Sequence, residues 1–312
     1  MPTVETLESR YAQVKDRLGN AATKSGRKVS DILLVAVTKY ADMQQVRELV
    51  ELGHPDLGES RVQQLVQRAA QVEELLDRRR TMPGVSAAAR SGFAGGSGGV
   101  GGERGQGVFD FSAVRSTRHQ PGSGPTPADA PGPLSGLVRW HLIGHLQRNK
   151  VKKSVDVVRL IHSVDSLRLI EEIQAAAYKR DRVVDVLVQI NCSGEGQKFG
   201  CAIPAAWHLC EQIDSMIHLR VRGVMCMAPY SDNPEDSRPV FQRCREIFED
   251  LQRRGAGGGG GKNAGHFNIL SMGMSNDFEV AVECGANLVR VGSALFGEAQ
   301  VESQDVDEAE EE

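Results

Sequence analysis

Apolar positions along this chain follow two alternating rhythms. Short β-rich hydrophobic runs recur at 32–38, 56–59, 140–144, 158–163, 184–191, 219–227, 268–272 and 288–292, and runs of that length between turn residues predict buried strands. Between them the spacing changes to three and four. Val4, Leu7, Tyr11, Val14 and Leu18 share one helical face, and Asp42 with Gln45 forms a capping box for a helix that ends at Gly53. Asp165 precedes a helix carrying Leu167, Leu169, Ile170 and Ile173, while Ser237 and Pro239 open one that buries Phe241, Cys244, Phe248 and Leu251. Strands that alternate with helices pair in parallel through right-handed crossovers, so eight of them predict an α/β fold of the (β/α)8 TIM-type barrel class. An open, doubly wound sheet is the competing arrangement.

Two segments interrupt the pattern. From 78 to 137 the periodicity stops: residues 91–107 hold nine glycines in seventeen positions, and 121–133 hold five prolines in thirteen. Such composition buries too little apolar surface to offset its ordering entropy, which predicts a disordered insertion. The shorter Gly-rich run 255–265 reads the same way. Without them about 250 residues remain, the usual size of a single barrel, here spanning 1–300 with an acidic tail at 301–312. Each insertion follows a helix and precedes a strand. That places both at the N-terminal face of the barrel, away from the end where barrel chemistry occurs, and predicts that both are dispensable for ligand binding.

The formal charge of -4 comes from the tail, which carries seven acids and no base. The body is near +3 without it, which gives no electrostatic case for a nucleic-acid partner, and the tail reads as a disordered solubilising end. Cys192, Cys201, Cys210, Cys226, Cys244 and Cys284 contain no C-x-x-C pair, so neither a disulfide framework nor a zinc site is expected, and reduced thiols acting as small hydrophobes are. The acidic residues of the first helix are unlike a signal peptide, and no apolar run reaches membrane-spanning length. The expected location is the cytoplasm, with an organellar signal left open.

The first strand ends in Thr38-Lys39-Tyr40, and a lysine buried at such a position has its charged form disfavoured and becomes nucleophilic toward an aldehyde. A strand-end lysine that snorkels to water is the plainer reading on this run alone. In a barrel the same face collects Glu59, His141 to Gly144, His162, Asn191, Met227, Ser271 to Ser275 and Arg290 to Ser293. Gly273 permits a tight turn ahead of the helix that starts near Phe278, with Ser275 or Asn276 as candidate N-cap, and Arg290-Val291-Gly292-Ser293 supplies a second glycine turn. Loops after strands seven and eight, with free backbone N–H groups, outline a phosphate site. A lysine nucleophile and a phosphate clamp on one face describe a receptor for a phosphorylated aldehyde. Pyridoxal 5'-phosphate (PLP) fits, and so does the sugar phosphate of a class I aldolase.

Nine blocks narrow that choice: Ala36-Val37-Thr38-Lys39-Tyr40, Leu57-Gly58-Glu59, Trp140-His141-Leu142-Ile143-Gly144, Leu146-Gln147-Arg148-Asn149-Lys150, His162-Ser163-Val164-Asp165-Ser166, Gln189-Ile190-Asn191, Met227-Ala228-Pro229-Tyr230, 270–281 and 289–297. In this order they resemble the pyridoxal phosphate homeostasis protein family, also called proline synthase co-transcribed homologue, from about Val4 to Gly297. The resemblance implies the barrel of the alanine racemase N-terminal domain and PLP held as a Schiff base on Lys39. It also implies phosphate contacts from Ser275, Gly292 and Ser293, with Met274 and Asn191 completing the cofactor-binding set, and Arg290 facing the pyridine nitrogen. A permanent cation there keeps the nitrogen unprotonated and weakens the ring as an electron sink. The chain ends soon after Gly297 apart from its acidic tail, so the second domain that supplies alanine racemase with its catalytic tyrosine is expected to be absent. The implied role is a reversible PLP carrier in vitamin B6 and amino-acid homeostasis, without strong catalytic activity, passing cofactor to apo-enzymes. A PLP enzyme with slow amino-acid chemistry such as racemisation is the alternative.

Two departures from the family pattern stand out. Ser60-Arg61 replaces the usual Asn-Tyr, which puts any cofactor contact of that pair in doubt, and His145 stands at a position commonly occupied by proline. Lys198 in the loop after strand five is a candidate second, transient PLP site beside the plainer reading of a solvated lysine. Arg148, Lys150, Lys152 and Lys153 read as a solvated helix face. His141, His162 and His208 share no metal-ligand spacing, and no metal is expected.

Overall fold

The computed structural model describes residues 5–81, 138–195, 199–258 and 266–297. Eight parallel strands, β1 (Leu33–Val37), β2 (Asp56–Glu59), β3 (Arg139–Leu142), β4 (Val158–Val164), β5 (Val184–Gln189), β6 (Leu219–Met225), β7 (Ile269–Ser271) and β8 (Leu288–Val291), follow one another around a closed barrel. Closure is made by β8 on β1, in register from Leu33 opposite Leu288 to Ala36 opposite Val291. This pairing rules out the open sheet. Several strands stop one or two residues before the hydrophobic run does, because the last residues of those runs turn into the loops of the C-terminal mouth.

Two apolar layers result from the alternation of side chains along each strand. Val35, Leu160, Leu187, Met225, Ile269 and Leu288 fill the barrel axis, with Leu33 and Met227 packed against them. A larger layer joins the outer strand faces to the helices. The helices are α1 (Leu7–Lys24), α2 (Met43–Glu51), α3 (Val62–Thr81), α4 (Val151–Ser154), α5 (Leu167–Tyr178), α6 (Ala206–Asp214), α7 (Arg238–Arg253), α8 (Phe278–Glu283) and α9 (Ser293–Phe296). The Asp42–Gln45 capping box forms as the spacing predicts, and α7 buries Phe241, Cys244, Phe248 and Leu251. All six cysteines are free and buried.

The N-terminal end of the barrel is closed by ion pairs. Asp185 lies among Arg222 (3.2 Å), Arg220 (3.6 Å) and Arg159 (3.8 Å), and Asp56 accepts from Arg139 Nε at 2.6 Å. Both long connections leave and re-enter here, before β3 and before β7. Helix α3 runs through Thr81, so residues 78–81 belong to it and not to the insertion; the remainder of that segment, 82–137, lies outside the described residues. In the Gly-rich run, Gly255–Gly258 departs from the expected disorder. It forms a turn in which Gly257 N–H donates to Asp214 Oδ2 at 2.8 Å, a side-chain acceptor from α6 that composition alone does not reveal. Residues 259–265, Lys198 and the acidic tail also lie outside the described residues. Among the described residues no helix is long and apolar enough to cross a membrane.

Candidate functional site

Lys39 occupies the second position of a β-turn closed by Ala41 N–H on the Thr38 carbonyl at 3.0 Å. Helix α3 holds this turn in place. The Arg68 guanidinium donates to the carbonyls of Thr38 (2.6 Å) and Ala41 (2.7 Å), and its Nε lies 3.2 Å from the buried Glu59 carboxylate. Thr38 Oγ1 donates to Glu59 Oε1 at 2.5 Å. Burial pushes the Glu59 carboxyl up, opposed by the Thr38 hydrogen bond and the Arg68 charge. Lys39 itself is half-buried at the mouth and not enclosed as the apolar run suggests, and its Nζ sits 4.5 Å from the centre of the exposed Tyr40 ring. The strand ends one residue early, which leaves the amine at the rim.

Gly292 stands beside β1, and a Cβ there would lie 3.3 Å from the Val37 carbonyl oxygen, two residues before Lys39. The β8 turn and the lysine turn are therefore neighbours. The N–H groups of Gly292 and Ala294 point to one place, where both are met by Ser275 Oγ at 3.0 and 3.3 Å. Ser275 thus does not cap α8, and neither does Asn276, whose amide reaches Ser231 O at 2.7 Å. Asp277 instead holds the turn by accepting from Met274 N–H at 2.7 Å. The turn needs glycine at 273: φ is +92°, and a Cβ would come within 2.6 Å of Ala281 Cβ. Ser275, Gly292 and the exposed Ser293 come together next to Lys39, and Met274 lies exposed on the same turn. Asn191 lies across the barrel after β5, with its side chain bonded to the loop 193–195.

Beneath the mouth lies a buried polar chain. Arg290 donates to Ser271 Oγ (2.7 Å) and to the Cys226 carbonyl (3.0 Å). Ser271 Oγ is 3.1 Å from His162 Nδ1, His162 Nε2 is 3.0 Å from His141 Nδ1, and His141 Nε2 is 3.1 Å from Asp56 Oδ1. The chain thus crosses the barrel from the mouth to the closed end. Burial drives His162 well below its ordinary value, with His141 and the Arg290 guanidinium adding to the effect. Asp56 is held well below the usual carboxylate range: burial opposes this, but hydrogen bonds from Arg139 and His141 outweigh it.

Sequence reasoning missed Arg68, although its place three residues after Leu65 on the apolar face of α3 is a signal, since a guanidinium on a buried stripe must find acceptors. The departures from the family pattern also have a structural outcome. Ser60 Oγ is buried without a hydrogen-bond partner, Arg61 is exposed, and His145 stacks on Phe199 at 4.7 Å. Arg148, Lys152 and Lys153 are exposed as expected, and Lys150 is half-buried.

Comparison with known proteins adds a family. The model of the alanine racemase N-terminal domain matches residues 135–300. A pyridoxal phosphate homeostasis protein of Aquifex aeolicus is 44% identical over 165 residues, covering 52% of this chain and 67% of that one. The chain belongs to the pyridoxal phosphate homeostasis protein family. A member from Mycobacterium leprae is 28% identical over 301 residues, covering 94% of this chain and 92% of its own. The structure of PipY from Synechococcus elongatus with PLP bound superposes with a TM-score of 0.62 at 24% identity, covering 94% of this chain and all of PipY, and shares the barrel. The family model begins at 135 and so includes Ser275, Arg290, Gly292 and Ser293, while the block around Lys39 lies before it.

Proposed function

We propose that this family member binds pyridoxal 5'-phosphate as a Schiff base on Lys39, releases it reversibly, and so acts in vitamin B6 and amino-acid homeostasis as a carrier without strong catalytic activity. The observation that carries the reading is the adjacency of the Lys39 turn to the paired N–H groups of Gly292 and Ala294, with Arg290 beneath both. The names of the relatives and the PLP in PipY agree with it.

The residues at the mouth fit such a group. Glu59 Oε2, Ser60 Oγ and Ser163 Oγ are buried at strand ends without hydrogen-bond partners, and buried polar atoms left open are costly unless a ligand meets them. When bound, the cofactor supplies an aldehyde, a phosphate and an electron-withdrawing ring. Lys39 Nζ is the amine within reach of the rim. Gly292 and Ala294 N–H with Ser275 Oγ and the Ser293 hydroxyl would hold the phosphate, with the Ser275 hydroxyl free to donate to it. Met274 and Asn191 border the site from the β7 and β5 loops. Arg290, fixed by Ser271 and the Cys226 carbonyl, would present its cation to the ring nitrogen and so disfavour its protonation. An open rim leaves Lys39 reachable by a competing amine, which suits transfer to apo-enzymes that use the cofactor.

Borohydride reduction of the purified protein followed by peptide mass mapping tests the reading, with a pyridoxyl adduct expected on Lys39. Absence of any adduct after incubation with PLP rejects it. Exchange of an amino acid's α-hydrogen with solvent deuterium at an enzymic rate selects the racemase alternative, and a purified protein free of cofactor that gains an adduct only with a carbonyl substrate selects an aldolase.

A further inference from the structure

Three cysteines far apart in the sequence converge between the barrel wall and its helical layer. Cys192 follows β5, Cys226 follows β6 and Cys244 lies on the buried stripe of α7, and their Sγ atoms all lie within 4.8 Å of one another. Cys226 and Cys244 are fully buried and Cys192 is 4% exposed, among the apolar residues of the outer core layer. The neighbouring Cys226 and Cys244 thiols, with Arg243, push the Cys192 thiol down, while Cys226 and Cys244 are pushed up.

The donor set selects its ligand. A metal–thiolate bond of about 2.3 Å puts the sulfurs of a trigonal site about 4 Å apart, a spacing this cluster accommodates with little movement. Hard cations need oxygen ligands, and closed zinc sites need four donors. No fourth His, Cys, Asp or Glu joins the group among the described residues. Three sulfurs in a dry, apolar pocket suit a soft cation of low charge.

We propose that Cys192, Cys226 and Cys244 form a three-thiolate site for Cu(I). The ion enters in its reduced form, the S–H protons leave to solvent as Cu–S bonds form, and no oxidant or reductant takes part. The exposed loop residues Gly194 and Glu195 beside Cys192 mark the side from which the ion enters. Positive charge near the sulfurs offsets the charge of the thiolates, from Arg243 at Cys192 and from Arg290, which donates to the Cys226 carbonyl at 3.0 Å. That hydrogen bond also connects the thiol cluster to the floor of the mouth.

The test is an anaerobic titration of the reduced full-length chain with Cu(I) against a chromophoric Cu(I) chelator. One ion per chain is expected, with near-ultraviolet sulfur-to-copper charge transfer. Cys192→Ser, Cys226→Ser and Cys244→Ser should each weaken retention by more than about 100-fold, above the usual loss for an outer-shell partner. Cys210→Ser and Lys39→Ala should retain the ion, which separates this site from the PLP reading. X-ray absorption of the copper-loaded wild type should give three sulfur neighbours, a measurement that stands even if a core serine variant fails to fold. Undiminished retention by Cys192→Ser, nitrogen or oxygen neighbours at the copper, or preference for Zn²⁺ over Cu(I) overturns the proposal.

Discussion

The N-terminal end of the barrel pairs its buried charges, Asp185 with Arg159, Arg220 and Arg222, and Asp56 with Arg139 and His141. The C-terminal end pairs its buried Glu59 with Arg68 but leaves other polar atoms open. There Glu59 Oε2, Ser60 Oγ and Ser163 Oγ are buried without partners, Lys39 faces the rim, and the Gly292 and Ala294 N–H groups share one serine hydroxyl. The contrast separates groups that hold the fold from groups that await a ligand. At one end folding sets opposite charges together, although Asp185 Oδ1 stays without a hydrogen bond there, and at the other it leaves open polar atoms at the strand ends.

The strongest way to break that separation is at the closed end. Asp185→Ala leaves three guanidinium groups without their shared carboxylate and should cost about 3–5 kcal/mol, read by urea unfolding, while PLP binding per folded molecule stays unchanged. Altered cofactor affinity in the folded fraction would show that the two ends are coupled.

The buried histidines give the next effect. Burial lowers His54 to about 4, and His162 lies well below its ordinary value, so both remain neutral in the folded protein while their unfolded values are ordinary. Unfolding therefore takes up protons as pH drops below about 6.5. Through these two groups stability should decline as pH falls from about 6.5 toward 4, by at most about 1.4 kcal/mol per pH unit for each histidine. His162→Gln should halve the slope measured between pH 6.5 and 5; an unchanged slope would mean that His162 is charged in the folded state.

At the mouth, Arg68→Ala removes two carbonyl contacts and the partner of Glu59, at a cost of about 2 kcal/mol, and should loosen the Lys39 turn enough to slow the gain of PLP absorbance. Rescue of stability but not of that rate by Arg68→Lys would identify the fork geometry as the part that positions the turn. Lys39→Ala should change stability by less than about 0.5 kcal/mol and yet abolish the borohydride-fixed adduct. A large loss of stability there would place Lys39 among the groups that hold the fold.

Much of this contrast was legible in the chain. Eight hydrophobic runs, their alternation with helices, the Asp42–Gln45 box and the stripe of α7 depend on local spacing, and local spacing decides which face of an element is buried. The two glycine turns were legible as well, because Gly273 and Gly292 sit where strands must turn into short helices. Less legible was what each polar side chain would bond. Ser275 reads as a helix cap and instead meets the N–H groups of the next strand's turn, and Arg68, which the spacing did not single out, holds the Lys39 turn.

The number of the strands, their alternation with helices and the place of Lys39 and the glycine turns at strand ends were determined by the sequence alone, since hydrophobic period marks each element. Closure of β8 on β1, which excludes the open sheet, was decided by the tertiary structure. Only the tertiary structure decided which distant groups meet: Arg68 on the Lys39 turn, the line from Arg290 through His162 and His141 to Asp56, and the three thiols from β5, β6 and α7. Such meetings depend on where closure of the barrel brings side chains many tens of residues apart. Spacing along the chain carries no record of that distance.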